Sequence, residues 1–283
     1  MRQVTAPGRR VWAASGLATV LALAVPGAWL ITTAGTSQNG AVTAFPSRTI
    51  TVTQHVTSLN VQSYGAPVRV AARPGYPVQV TETIMFNRQN GGPPAVTQSV
   101  SGGRLTLAAP SCADVGCSVG FEVTVPAGVT VTAASEGGPV TVSGTAGANL
   151  DSGSGPVRAT GIDGPLTVTS EGGGVIVDGL TGPLHVDTGS GTLLAQGVAA
   201  ATATVITDGG EARISFATAP AAVLVSTGSG AATLVMPGGP YALTADSGGG
   251  PQQVGIATDP AASRSINVST DGGPLQIIPN AGG

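Results

Sequence analysis

The 283-residue sequence contains no lysine, and all 11 of its basic residues are arginine. Charged residues make up 9% of the chain, against a typical share of roughly 25%, and aromatic residues make up 3%. The absence of lysine excludes a Walker-type phosphate loop, a lysine Schiff base and a Ser-Lys dyad. A chain this poor in leucine, glutamate and aromatic residues is not expected to form a helical bundle. Because 41% of it is apolar, it is not expected to be disordered either.

Glycine is abundant instead, with 44 residues, and glycine-rich turns recur from residue 135 onward as SEGG, SGSG, EGGG, TGSG, DGG, TGSG, SGGG and DGG. Acidic turns largely alternate with GSG turns. One glycine of each turn, called here the reference glycine, recurs every 17 to 23 residues: Gly138, Gly155, Gly173, Gly191, Gly210, Gly230, Gly250 and Gly273. The sequence therefore contains eight related units.

Apolar residues occupy four fixed positions around each reference glycine: seven and five residues before it, and two and four residues after it. Only Gln252 departs from this pattern among the 32 positions. Mostly polar residues lie between them, which is the period of a strand with one buried face. Each unit therefore predicts two short strands, with glycine supplying the positive φ that tight corners need.

A two-strand unit cannot bury its inner face alone, but stacked units can. The sequence therefore predicts an all-β fold, a β-solenoid of about eight coils of 17–23 residues over 131–283, each strand pairing with its equivalent in the next coil. A β-propeller, with units of roughly 40 residues, is the alternative architecture. An exposed last coil would allow self-association, although Pro279 near the chain end could blunt its edge.

Residues 41–130 are less regular and predict an N-terminal β segment that caps the solenoid. Leu105 and Leu107 follow Gly103 in the register of the later repeats. The only two cysteines, Cys112 and Cys117, are expected to form a disulfide that closes a short loop.

Residues 1–40 read as a membrane signal. Three arginines, Arg2, Arg9 and Arg10, precede a largely apolar stretch over 11–31, which is long enough to span a hydrocarbon core of roughly 30 Å. The distribution of arginine predicts a single-pass anchor in the cell membrane, with the N-terminus cytoplasmic and the bulk of the chain extracellular. A cleaved signal peptide, with Thr32 and Ala34 near the cleavage site, is the alternative.

The remainder of the chain carries 8 arginines and all 14 acids, a formal charge of −6. This acidic balance, without a basic cluster, argues against nucleic acid and anionic lipid as partners.

The run GRLTLAAPSC, followed by CSVGFEVTVPAGVTV, repeated SGSGPV and TGSG turns and MPGGPYALTADSGGG, resembles an actinobacterial putative-adhesin family of β-strand-repeat proteins, a domain of unknown function. The resemblance covers roughly residues 50 to 279. It implies a right-handed β-helix behind one membrane anchor, and it brings no catalytic residues to this chain.

Hydrolytic chemistry has one candidate set of residues. Residues 116–120 match the GxSxG pattern with Ser118 at its centre, and Asp163 or Asp178 and then His185 follow in the order of the hydrolases. That pattern requires a strand-to-helix turn, whereas Ser118 precedes a β-hairpin pattern. We therefore predict no catalytic residue.

The repeats have candidate residues for metal binding and for glycan cleavage, and the alternative is that the acids of the turns are simply solvated. Acidic turns can bind calcium, but most units offer only one acid. A glycan-cleaving β-helix generally needs clustered charged groups and often aromatic platforms, and we expect the repeat arginines Arg158 and Arg213 to lie far apart in register. We predict no metal or cofactor site. The turn acids are Glu136, Asp151, Glu171, Asp187, Asp208, Asp246 and Asp271.

The sequence thus favours a non-enzymatic, membrane-anchored surface protein that binds a cell-wall polymer or an envelope protein. Two other hypotheses remain open: an envelope-stress or signalling accessory, and a polysaccharide-active β-helix enzyme.

Overall fold

A computed structural model describes residues 42–88, 92–112 and 116–280, and every regular element among them that is longer than a turn is a β-strand. The N-terminal strands are β1 Val42–Ala44, β2 Arg48–Val52, β3 Ser58–Ser63, β4 Val68–Ala72, β5 Val78–Asn87, β6 Thr97–Ser101, β7 Arg104–Ala108 and β8 Ser118–Val125. The repeats hold β9 Thr130–Ser135, β10 Val140–Ser143, β11 Gly147–Ser152, β12 Val157–Ile162, β13 Leu166–Ser170, β14 Val175–Leu180, β15 Leu184–Thr188, β16 Leu193–Val198, β17 Thr202–Thr207, β18 Ala212–Phe216, β19 Ala222–Ser226, β20 Ala232–Met236, β21 Ala242–Asp246, β22 Gln252–Val254, β23 Ser265–Ser269 and β24 Leu275–Pro279.

The strands form two sheets, one of 13 strands and one of 11 strands. Successive repeats add one strand to each sheet: β11 pairs in parallel with β13 in the 11-stranded sheet, and β12 pairs in parallel with β14 in the 13-stranded sheet. One strand from each sheet, with its two turns, makes a coil. The chain therefore has the all-β, β-helix-like fold that the repeat predicts.

The predicted inward-facing positions form the core between the sheets. Of the 32 positions around the reference glycines, 28 are buried. The four exceptions, Leu243, Ala245, Gln252 and Val254, all belong to the coil of β21 and β22. Because one side of that coil has no neighbouring coil, its side chains are less covered.

The predicted order of the coils is wrong at the C-terminal end. The coil of β19 and β20 pairs with β23 and β24, and these pair in turn with β21 and β22. The last coil in the sequence thus lies between its two predecessors. Pro279 is therefore inside the 13-stranded sheet, paired with Met236, and does not blunt an outer edge.

The N-terminal segment also stacks out of order. Strand β3 lies between β7 and β9, and β4 lies between β8 and β10. Leu105 and Leu107 of β7 are fully buried, as the repeat register predicts. Beyond this coil, β5 and β6 pair antiparallel with β8 and β7, and β1 and β2 pair antiparallel with β5. These antiparallel strands close the N-terminal end of the stack.

Close stacking of the turns explains the reference glycines, whereas the predicted positive φ occurs at other glycines of the corners. None of the eight has a positive φ. A Cβ on Gly173 would overlap the carbonyl oxygen of Gly155 and lie 2.7 Å from the carbonyl carbon. Positive φ occurs at the opposite turn of the coils, for example 60° at Gly161 and 71° at Gly179, and beside three of the reference glycines, for example 50° at Gly228. The repeat thus uses glycine for two different physical reasons.

A buried column of hydroxyl groups supports the stacked turns. Ser170 Oγ donates to the Gly173 carbonyl at 3.1 Å and accepts from the Gly173 N–H at 3.0 Å. Equivalent hydroxyls donate to the carbonyl three residues later in Ser152, Thr188, Thr207, Thr227, Ser247 and Thr270. The sequence carries the signal, because a serine or threonine stands three residues before every reference glycine.

One buried hydroxyl at the opposite turn of the described coils, between β10 and β11, has no partner. Thr145 is fully buried, and its Oγ1 has no hydrogen-bond partner. It stands seven residues after its reference glycine, where the next coils carry Ile162, Leu180 and Val198. The hydroxyl therefore lies in a stack of apolar side chains.

The described residues contain no helix long and apolar enough to cross a membrane. The predicted membrane signal at residues 1–40 lies outside them.

Candidate binding faces and chemical sites

The residues of the candidate hydrolase set do not meet. Ser118 begins β8, whereas Asp178 lies four strands away in the same sheet, roughly 19 Å at normal strand spacing. His185 is exposed on the other sheet, and Asp163 lies in a turn. This arrangement provides no nucleophile and base within hydrogen-bonding reach.

Four of the predicted turn acids lie in turns along one edge of the stack, whereas Asp151, Asp187 and Asp246 lie in β11, β15 and β21. In the spatial order of the coils, the position after the turn hydroxyl carries Glu136, Gly153, Glu171, Gly189, Asp208, Gly228, Asp271 and Gly248. Acid and glycine thus alternate without exception in space, although the alternation fails in the sequence at Gly248. The described residues include no group of three or more His, Cys, Asp or Glu side chains that could hold a metal ion.

Two chemical features lie in the N-terminal segment. Cys112 and Cys117 are joined by a disulfide, with their Cα atoms 4.9 Å apart. Glu82 in β5 is only 6% exposed and pairs across the strands with Arg48. Burial raises the pKa of the Glu82 carboxyl, and the charge of Arg48 partly opposes that rise.

The outer surface of the 13-stranded sheet carries a row of side chains that we call the arginine face: Arg158, Ile176, Leu194 and Arg213 on β12, β14, β16 and β18. These residues are direct partners in the strand register. The two guanidinium groups therefore bracket an apolar pair across three strand spacings, roughly 14 Å. The expectation that Arg158 and Arg213 lie far apart in register is wrong, because each stands three residues after a reference glycine and both therefore share one row.

A shallow hollow adjoins this row. It has a volume of about 350 Å³ and is lined by Leu194, Gln196, Arg213, Ser215 and Val235, together with Ala195. The arginine face thus combines an apolar floor, amide and hydroxyl groups, and a cation in one concave area.

The outer surface of the 11-stranded sheet is different in character, and we call it the polar face. Its central row is Asn60, Thr132, Asn149, Thr167, His185 and Thr204, each paired with the next in register. The row offers hydrogen-bonding groups at the strand spacing and continues to the exposed Leu224, and the exposed Ile206 lies beside it on β17. His185 is thus an exposed member of this row.

The coil of β21 and β22 leaves strand edges without a neighbouring strand. Val254 there is one of the more exposed large apolar side chains. Self-association remains a prediction, and it would use this edge rather than the chain end.

Comparison with known proteins finds similar solved structures. No protein-family model matches the chain, and no curated protein matches it. Solved structures do match. A putative adhesin from Parabacteroides merdae has a TM-score of 0.51 at 11% identity, over 82% of this chain and 95% of that one.

Two further structures are similar over comparable lengths. A putative adhesin from Bacteroides fragilis has a TM-score of 0.47 at 15% identity, over 84% of this chain and 99% of that one. A putative adhesin from Parabacteroides distasonis has a TM-score of 0.42 at 13% identity, over 84% and 98%. The chain is thus a β-helix-like protein. It shares this fold with a protein named a putative adhesin, and identities this low show the fold alone.

Proposed function

We propose that this chain is a non-enzymatic, adhesin-like binding module at the outer surface of the cell membrane, and that it contacts an envelope protein through the arginine face. The observation that carries the proposal is the apolar pair Ile176 and Leu194 bracketed in register by Arg158 and Arg213. Cores of protein interfaces combine apolar contact with arginine anchors in this way.

The composition of the face favours a protein over a polysaccharide. Sugar rings often stack on exposed aromatic side chains, and the two aromatic residues of the repeats, Phe216 and Tyr241, are fully buried. The row of arginine and aliphatic side chains, with the hollow beside it, offers apolar contact and cations that would pair with carboxylates of a partner. A cell-wall polymer is the alternative partner.

The location rests on the N-terminal sequence. We propose that residues 11–31 span the membrane once, with Arg2, Arg9 and Arg10 on the cytoplasmic side. The order of motifs supports membership of the actinobacterial putative-adhesin family and, through it, a right-handed coil. The repeats would then stand outside the cell.

Co-sedimentation with isolated envelope fragments tests the partner. The full chain is compared with Arg158→Ser/Arg213→Ser and with a control on the polar face, Thr167→Ala/His185→Ala, with and without calcium. We expect the arginine pair to weaken retention by about tenfold or more, since hot-spot arginines contribute over 1 kcal/mol each. The control should bind like the unmodified chain.

Treatment of the fragments identifies the class of partner. If the partner is a protein, protease treatment of the fragments abolishes retention. Retention on protease-treated sacculi would indicate a wall polymer instead, and calcium dependence would implicate the turn acids. Protease-sensitive retention on membranes but not on sacculi would favour the signalling-accessory hypothesis. Equal binding by the arginine variant and the control would refute the assigned face.

A further inference from the structure

The outermost antiparallel strands at the N-terminal end carry an unusual set of exposed side chains. We define this end, called here the cap, as residues 42–52 and 73–88, which include β1, β2, the turn before β5, and β5. Tyr76 is 54% exposed, and Phe45 and Met85 are each 42% exposed. These are the two exposed large aromatic residues of the described chain and one of its few other exposed large apolar residues.

These side chains lie along one edge of the 13-stranded sheet. Strands β1 and β2 both pair with the outer edge of β5, so that Ala44 is opposite Met85 and Arg48 is opposite Glu82. The Phe45 N–H donates to the Ile84 carbonyl at 2.8 Å, which places Phe45 beside this edge. The edge is therefore apolar at its surface.

The cap is also basic, unlike the rest of the stack. It holds three exposed arginines, Arg48, Arg73 and Arg88, and one acid, the buried Glu82, whose pKa is raised by burial. The guanidinium of Arg73 lies 5.9 Å from the ring centroid of Tyr76. Residues 126–283, in contrast, have three arginines and 11 acids, a formal charge of −8. The cap therefore has a net positive charge, although the chain as a whole has a net negative charge.

The chain enters the cap directly from its N-terminal segment. Only ten residues separate the apolar stretch over 11–31 from Val42, the first described residue. Eleven residue steps span at most about 40 Å even when fully extended. If the stretch is inserted in the membrane, Val42 at the start of the cap lies no farther than this from the end of the stretch.

We propose that the cap docks on an anionic lipid surface, with Arg73 and Arg88 near the headgroup phosphates and Phe45, Tyr76 and Met85 in the interfacial layer. Aromatic residues favour that layer, and arginines near an anionic membrane surface contribute about 1 kcal/mol each. Repulsion between the acidic repeats and the same surface would hold the stack away from the membrane and leave the arginine face accessible. The inference rests on the proposed anchor.

Hydrogen–deuterium exchange on the full chain in nanodiscs tests the docking. Discs of phosphatidylcholine alone are compared with discs that also contain phosphatidylglycerol, at low salt. We expect amides in 42–52 and 78–88 to exchange more slowly in the anionic discs, by roughly fivefold for each arginine engaged. Amides of β15 and β16 should exchange equally in both.

The variant Arg73→Ser/Arg88→Ser should remove this difference, while Arg158→Ser/Arg213→Ser, a matched loss of two charges on the arginine face, should keep it. Arg48 is left unchanged because it faces the buried carboxyl of Glu82. Exchange that is equal in the two lipid compositions, or slowed equally in the cap variant, would overturn the docking.

Extraction of native membranes with carbonate separates this result from failure of the anchor. A chain that resists extraction, yet shows no lipid-dependent protection, would refute the docking and leave the anchor standing. A chain released by carbonate would refute the anchor and, because the tether is then lost, the docking as well.

Discussion

Substitution of Gly173 by alanine tests why the turns are rich in glycine. The added Cβ would overlap the Gly155 carbonyl oxygen and lie 2.7 Å from its carbon, both backbone atoms of the preceding coil. The two coils would have to separate by about an ångström, within a strand spacing of roughly 4.8 Å. Overpacking of this kind costs about 1–3 kcal/mol, and the strained hydrogen bonds between Ser170 and Gly173 add about 1 kcal/mol each.

We therefore expect Gly173→Ala to lower the free energy of unfolding by about 3–5 kcal/mol, which is about 10 °C or more in melting temperature for a chain of this size. The control is the neighbouring Gly172→Ala, whose Cβ would lie 3.6 Å from Ser190 Oγ in ordinary contact. It should be neutral, or stabilising by up to about 1 kcal/mol through the unfolded chain. Scanning calorimetry measures the melting temperatures of both variants. Melting temperatures within a degree of each other would refute the explanation of Gly173 by close stacking.

Three further predictions follow from buried groups and from the order of the coils. Thr145→Val should raise the free energy of unfolding by about 1–2 kcal/mol in denaturant titrations, because it removes an unpaired buried hydroxyl; a loss of stability would mean that the hydroxyl has a partner. Glu82→Gln should stabilise the chain at pH 8 but not near pH 4. The pKa of Glu82 is raised in the folded protein, so the folded protein loses stability as the pH rises through that pKa. An equal effect of the substitution at both pH values would contradict this. The distance between spin labels at Thr233 and Gln276 should be that of neighbouring strands, and the distance between labels at Thr233 and Gln253 should be that of strands two spacings apart. If the coils were stacked in sequence order, the second distance would be the shorter one.

Much of the fold could be predicted from the period of the apolar residues. Val157 and Val175, each two residues after a reference glycine, are direct partners in the parallel register. Local periodicity is sufficient there because every unit buries the same positions against the same neighbours.

The exchanged order of the last two coils could not be derived from that period, because both coils carry the same pattern. Two signals nevertheless mark it. Gln252 is the one polar residue at an inward position, which fits a coil with one uncovered side. Gly248 breaks the alternation of acid and glycine in the sequence, and the exchange restores that alternation in space.

The arginine face and the cap illustrate two limits of sequence reasoning. The equal offset of Arg158 and Arg213 from a reference glycine predicts that they share a row. The apolar pair between them can be recognised only when the order of the neighbouring strands is known. The antiparallel pairing of β1 and β2 with β5 joins residues 26 to 45 positions apart, for example Arg48 and Glu82. No local pattern specifies such pairing.

Photo-crosslinking in intact cells tests the central functional claim most directly. A photoreactive residue replaces Leu194 on the arginine face in one variant of the full chain and Thr167 on the polar face in the other. We predict that position 194 gives a discrete crosslinked product in which mass spectrometry finds peptides of a second protein, and that position 167 gives none. A product from position 167 alone, or a product from position 194 that contains no second protein, would contradict a protein partner at the arginine face.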